Sequence, residues 1–204
     1  MRAIDPPSND VMLHEALQSC DGLIVLLGDV IEMYDAGRDK RRHFNRIGRT
    51  YPRTFSFIEE NPDRVRLING NHDDGCLGFF RHHTPVNMLY HDGWVFLHGH
   101  QADRFFESKT AEVVSEFFCK AAHRWECLTG YDYTSAMVDK QRKARLGAAV
   151  QERYAREFLL NSGGIKGIVM GHTHCATTRE WGDQIYVNAG TWLDGKNAYQ
   201  TLNP

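Results

Sequence analysis

His172 and His174 close an apolar run, Gly167-Ile168-Val169-Met170, at Gly171-His172-Thr173-His174. On an extended chain, residues two positions apart point to the same side. Two imidazoles aimed one way beside a permissive glycine could hold a metal ion; taken alone, they could equally be solvated loop residues. Three other apolar runs end in the same manner. Leu23-Ile24-Val25-Leu26-Leu27 leads into Gly28-Asp29, and Arg64-Val65-Arg66-Leu67-Ile68 leads into Asn69-Gly70-Asn71-His72-Asp73. Gly93-Trp94-Val95-Phe96-Leu97 leads into His98-Gly99-His100. Core packing does not explain such a set. Asp29, Asn71, His98, His172 and His174 together offer a carboxylate, an amide carbonyl and three imidazoles. That mixture suits Mn, Fe, Co or Zn, whereas Mg and Ca favour oxygen-only shells. No thiolate is among them, which argues against a structural cysteine-type zinc site.

The elements that must position these residues follow from the same runs. Short stretches rich in Val, Ile and Leu, bounded by glycine, read as strands buried on both faces. In open α/β sheets ligands gather at the carboxyl ends of strands, so four such ends can share one site. A further strand is expected at Gln184–Asn188, with Gly190-Thr191-Trp192 near the site. Helices are expected at 9–20 and across 39–60, the latter interrupted by Pro52. The longest stretch, about 102–161, reads as a helical hairpin inserted into the α/β scaffold. Its first helix carries the apolar face Phe105, Phe106, Val113, Val114, Phe117, Phe118 and Trp125, read as core. A polar turn near Thr129-Gly130 leads to a second helix over about 135–160, whose Lys140, Arg142, Lys143 and Arg145 read as a solvated basic face.

The bounds are those of an ordinary globular protein. The 204 residues, 42% hydrophobic and 25% charged, suit a single domain spanning 1–204 with that insertion. A net charge of −2 gives no basic field that would favour nucleic acid. No apolar run approaches a membrane span, and the N-terminus lacks the apolar core of a signal peptide. Five cysteines without a CxxC pair make a disulfide framework unexpected, and a reducing, cytoplasmic setting fits best.

The order Gly28-Asp29, Gly70-Asn71-His72-Asp73, His98-Gly99-His100 and Gly171-His172-Thr173-His174 resembles the calcineurin-like metallophosphoesterase superfamily. The resemblance implies a two-sheet α/β sandwich with α-β-β-α layers and a metal-dependent phosphoesterase that cleaves a phosphomonoester, phosphodiester or pyrophosphate. It implies divalent ions, Mn²⁺ being the best fit to the donors, with Fe, Zn or Co as alternatives. Asp29 would bridge two ions; Asn71, His98 and His172 would complete one site, and His174 would belong to the other. Two ions held by one carboxylate can neutralise a phosphoryl group during in-line attack. His72 would lie over the substrate as an acid or charge stabiliser, with Asp73 a candidate to orient it. His100 could contact substrate, and Glu32 and Asp35 are candidate supporting partners of Asp29; either could instead cap the following segment.

Two departures from the family pattern qualify these expectations. The family normally opens with a strand ending in Asp-x-His, and nothing before Asp29 matches it. The expectation is that the sequence starts late, with about one tightly held ion; the alternative is a degenerate relative acting as a binding or regulatory module. The long insertion resembles the UDP-2,3-diacylglucosamine pyrophosphatase branch, implying a nucleotide-sugar lipid substrate and peripheral membrane contact. That branch, however, usually carries arginine in place of His72 and HGD in place of His98-Gly99-His100. Any other small phosphorylated substrate fits as well.

Overall fold

Strand β1 (Ile24–Leu26) pairs in parallel with β2 (Val65–Leu67), Ile24 opposite Val65 and Leu26 opposite Leu67. The computed structural model describes residues 6–33, 36–73, 75–103 and 140–192 of the chain. A second sheet is built from β3 (Met88–His91), β4 (Trp94–Leu97), β5 (Gly167–Met170), β6 (Thr177–Trp181) and β7 (Gln184–Asn188). Its order is β3-β4-β5-β7-β6: β4, β5 and β7 are parallel, and each edge is an antiparallel hairpin. The β3–β4 turn is Asp92-Gly93, with φ of 50° and 82°. Two successive left-handed residues are what a two-residue hairpin needs to match the twist of its strands.

Among the described residues four helices flank the sheets: α1 (Pro6–Gln18), α2 (Lys40–Thr50), α3 (Pro52–Glu60) and α4 (Lys140–Leu160). Strand alternation sorts the apolar side chains into three layers. Ile24, Val65 and Leu67 face Leu17, Phe44, Phe57 and Ile58 of the first three helices. Val25 and Leu27 meet Trp94, Phe96, Val169 and Val187 between the sheets. Val95, Leu97, Ile168, Met170 and Tyr186 face Ala155 and Leu159 of α4. The result is the expected helix–sheet–sheet–helix sandwich. β4 and β5 are buried along their whole length, which explains why they read as continuous apolar runs.

The helix expected over 39–60 is two helices. Asp39 caps the first by accepting the Arg42 N–H at 2.8 Å, and Pro52 occupies the opening turn of the second, where its missing N–H costs nothing. The second insertion helix corresponds to α4. The first one, with its aromatic stripe and the turn at Thr129-Gly130, lies outside the described residues. No helix among the described residues is long and apolar enough to cross a membrane.

Candidate metal centre

The loops after β1 and β2 are pinned to each other by one buried carboxylate. Asp73 accepts the backbone N–H of Asp29 and of Gly70 through Oδ2, both at 2.8 Å, and that of Ile31 through Oδ1 at 3.0 Å. Asp29 returns a bond, its Oδ1 accepting the His72 N–H at 2.9 Å. The loops can approach this closely because Gly28 and Gly70 lack side chains. A Cβ on Gly28 would stand 2.6 Å from His98 Nδ1 and 2.7 Å from the Gly70 backbone. Asp73 therefore braces the backbone that carries Asp29, Gly70 and Ile31. The carboxylate that meets the His72 ring belongs to Glu32, whose Oε2 lies 2.7 Å from Nδ1. Glu32 is itself steadied from α2: its backbone carbonyl lies 2.9 Å from buried His43 Nε2, and Arg46 donates to His43 Nδ1 at 2.8 Å.

The donor atoms converge on one point. His98 Nε2 lies 3.1 Å from Asp29 Oδ2 and 3.1 Å from Asn71 Oδ1. One ligand atom each from Asp29, His98 and His172 falls within 4.8 Å of the others. Ligands on one ion with bonds of roughly 2.1 Å stand about 3 Å apart, so the spacing fits. The chemistry fits as well. His98 Nδ1 lies 2.6 Å from the Leu27 carbonyl, which can only accept, so that nitrogen carries the ring proton. Nε2 then turns a lone pair toward two oxygens, an arrangement that a cation or an added proton must mediate. The residues present fit a divalent ion.

The remaining candidates surround this point. The His100 ring centre is 5.4 Å from that of His98 and 6.3 Å from that of His172. Burial, reinforced by His98 and His172, pushes His100 down to about 4, so its ring is neutral at neutral pH. His174 is exposed on one side and crowded on the other. Burial lowers its pKa, Asp29 opposes, and His172, His72 and His98 add to the lowering. It does not join the three-residue cluster. Burial works against ionising Asp29, but the His98 hydrogen bond and the nearby His98 and His72 charges outweigh it and bring the carboxyl to about 2. At His72 burial again opposes the charged form, and Glu32 with Asp29 and Asp73 raises the pKa above the ordinary value. Asp35 lies outside the described residues.

His172 and His174 are not on an extended strand. β5 ends at Met170, and both histidines are left-handed, with φ of 67° and 57°. Their loop is held by α4 through Gln151, which the sequence reading passed over. Gln151 donates to the Gly171 carbonyl at 3.0 Å, and its Oε1 accepts from Tyr186, Asn188 and Thr173 at 3.0, 2.6 and 3.3 Å. The signal was present: Gln151, Ala155 and Leu159 recur every four residues on the buried face, and a polar residue in such a stripe calls for partners. Asp103 was also missed. Its Oδ2 lies 2.9 Å from His172 Nε2, and nothing in its neighbourhood along the chain announces that contact. Trp192 hydrogen-bonds Asn9 of α1 at 2.9 Å.

A family model described as calcineurin-like phosphoesterase matches residues 10–176. No curated protein matches the chain.

Proposed function

The chain belongs to the calcineurin-like phosphoesterase family, and from that premise we propose that Asp29, Asn71, His98 and His172 hold a divalent ion with which it hydrolyses phosphoester bonds. The observation that carries this reading is His98 Nε2 set 3.1 Å from both Asp29 Oδ2 and Asn71 Oδ1, with its other nitrogen engaged by Leu27. Such an ion supplies Lewis-acid neutralisation of the phosphoryl oxygens and activates water for in-line attack. His174 and Asp29 are the residues from which a second ion would take ligands. His72 is the acid: with Nδ1 engaged by Glu32, Nε2 gives its proton to the oxygen that leaves phosphorus as the P–O bond breaks. His100, neutral beside the site, serves as a substrate contact.

Mn²⁺ is the ion proposed, since the mixed nitrogen and oxygen donors suit it better than Ca²⁺. Substrates are small phosphorylated molecules: phosphomonoesters, phosphodiesters or pyrophosphates, a nucleotide-sugar lipid included. The test uses bis-p-nitrophenyl phosphate. Chelation should abolish hydrolysis, and added Mn²⁺ should restore it well above Ca²⁺. Activity that survives exhaustive chelation sinks the proposal.

A further inference from the structure

His172 faces a problem that His98 has already solved. A neutral imidazole has one N–H and one lone pair, and only the lone pair can bind metal. At His98 the Leu27 carbonyl takes the Nδ1 proton and leaves Nε2 toward Asp29 and Asn71. At His172 the nitrogen with a fixed acceptor is the opposite one: Nε2 lies 2.9 Å from Asp103 Oδ2. An ionised carboxylate can only accept, so the proton belongs on Nε2 and the lone pair on Nδ1.

Asp103 is not a member of the cluster that Asp29, His98 and His172 form within 4.8 Å. It approaches from the end of the short 3₁₀ turn His100–Ala102 that follows β4, whereas His172 lies in the loop after β5. That loop is left-handed at His172, so local backbone preference does not fix the direction of the ring. The pair is partly exposed, with side chains 17% and 29% accessible, and a partly exposed ion pair contributes little to stability. Its consequence is orientation.

We infer that Asp103 is a positioning residue of the metal centre: it holds the Nε2 proton of His172 and thereby presents Nδ1 to the ion. This rests on the metal-dependent reading above. Carboxylates placed behind a ligating histidine typically change metal affinity by about 10- to 100-fold.

Zn²⁺ serves as a diamagnetic probe for the full chain. Affinity is measured by chelator competition, and the state of each ring nitrogen by long-range ¹⁵N–¹H spectra of histidine-labelled protein. In the wild type, His172 should bind Zn²⁺ through Nδ1 and keep a protonated Nε2. Asp103→Ala should weaken Zn²⁺ binding about 10- to 100-fold and lose that protonated-nitrogen signal, while the metal-free melting temperature stays close to wild type. Asp103→Asn retains an acceptor oxygen and should recover most of the affinity. Zn²⁺ on His172 Nε2, unchanged affinity in Asp103→Ala, or an Asn variant as defective as Ala each overturns the assignment, the last by making Asp103 a charged direct ligand. A wild type that binds no Zn²⁺ overturns this inference and the metal-dependent reading together. A wild type that binds beside an indifferent Asp103→Ala overturns the inference alone.

Discussion

Asp29, His172 and His174 share a backbone property as well as a neighbourhood: each is left-handed, and the fourth such non-glycine residue among those described is Asp92 in a hairpin turn. That conformation costs an L-residue roughly 1–2 kcal/mol, least for Asp and Asn, whose short side chains bond locally. Asp29→Asn should therefore fold, since its amide oxygen can still accept the His72 N–H. It removes the negative charge that the site maintains by holding the carboxyl near 2. Elemental analysis should find metal content sharply reduced in Asp29→Asn. His72→Ala should keep its metal and lose about 10²- to 10⁴-fold in turnover, the usual worth of a positioned acid. Full metal occupancy in the Asp29 variant, or lost metal in the His72 variant, would reverse these assignments.

At the level of elements, α4 reaches the loop of His172 and His174 through Gln151. Replacing Gln151 by Leu keeps the volume roughly constant but leaves the buried Tyr186 hydroxyl without its acceptor and deprives Asn188, Thr173 and Gly171 of partners. Unpaired buried groups cost about 1–3 kcal/mol each, so urea unfolding should show a loss of about 2–4 kcal/mol, some of it recovered by the other bonds of Asn188. A loss under about 1 kcal/mol would mean that the loop is held by other contacts. The central strands were legible in the sequence because both of their faces are buried. The edge strands β3 and β6 were not: their residues are half-buried or exposed, and only the flanking Asp92-Gly93 and Gly182-Asp183 turns marked them. The converging donors could be read because each ends an apolar run. The supporting contacts of Asp103 and Asp73 could not be, because they come from far along the chain, Asp103 to His172 across 69 residues and Asp73 to Asp29 across 44. Asp73 stands next to His72 and braces the backbone, while Glu32, 40 residues earlier, meets the ring.

For the molecule as a whole, buried Tyr186 ties global stability to alkaline pH. Burial pushes its phenol up to about 12, with Glu152 adding and Asn188 and Arg179 opposing. In the unfolded chain the group titrates near about 10. A folded value above the unfolded one means that stability is complete below about pH 10 and is lost as pH climbs toward 12, by about 2–3 kcal/mol in all. Tyr186→Phe should flatten the fall in unfolding free energy measured between those limits, and an unchanged slope would show that other groups control it. Sheet order carries a different consequence, one of timing. β4, buried at all four residues, is bordered on one side by β3, made just before it, and on the other by β5. Leu97 and Gly167 are 70 positions apart (167 − 97). At about 5–20 residues per second, a ribosome needs several seconds to deliver the missing neighbour. Throughout that interval Trp94-Val95-Phe96-Leu97 of the nascent chain has β3 on one border and still lacks the β5 partner of the other.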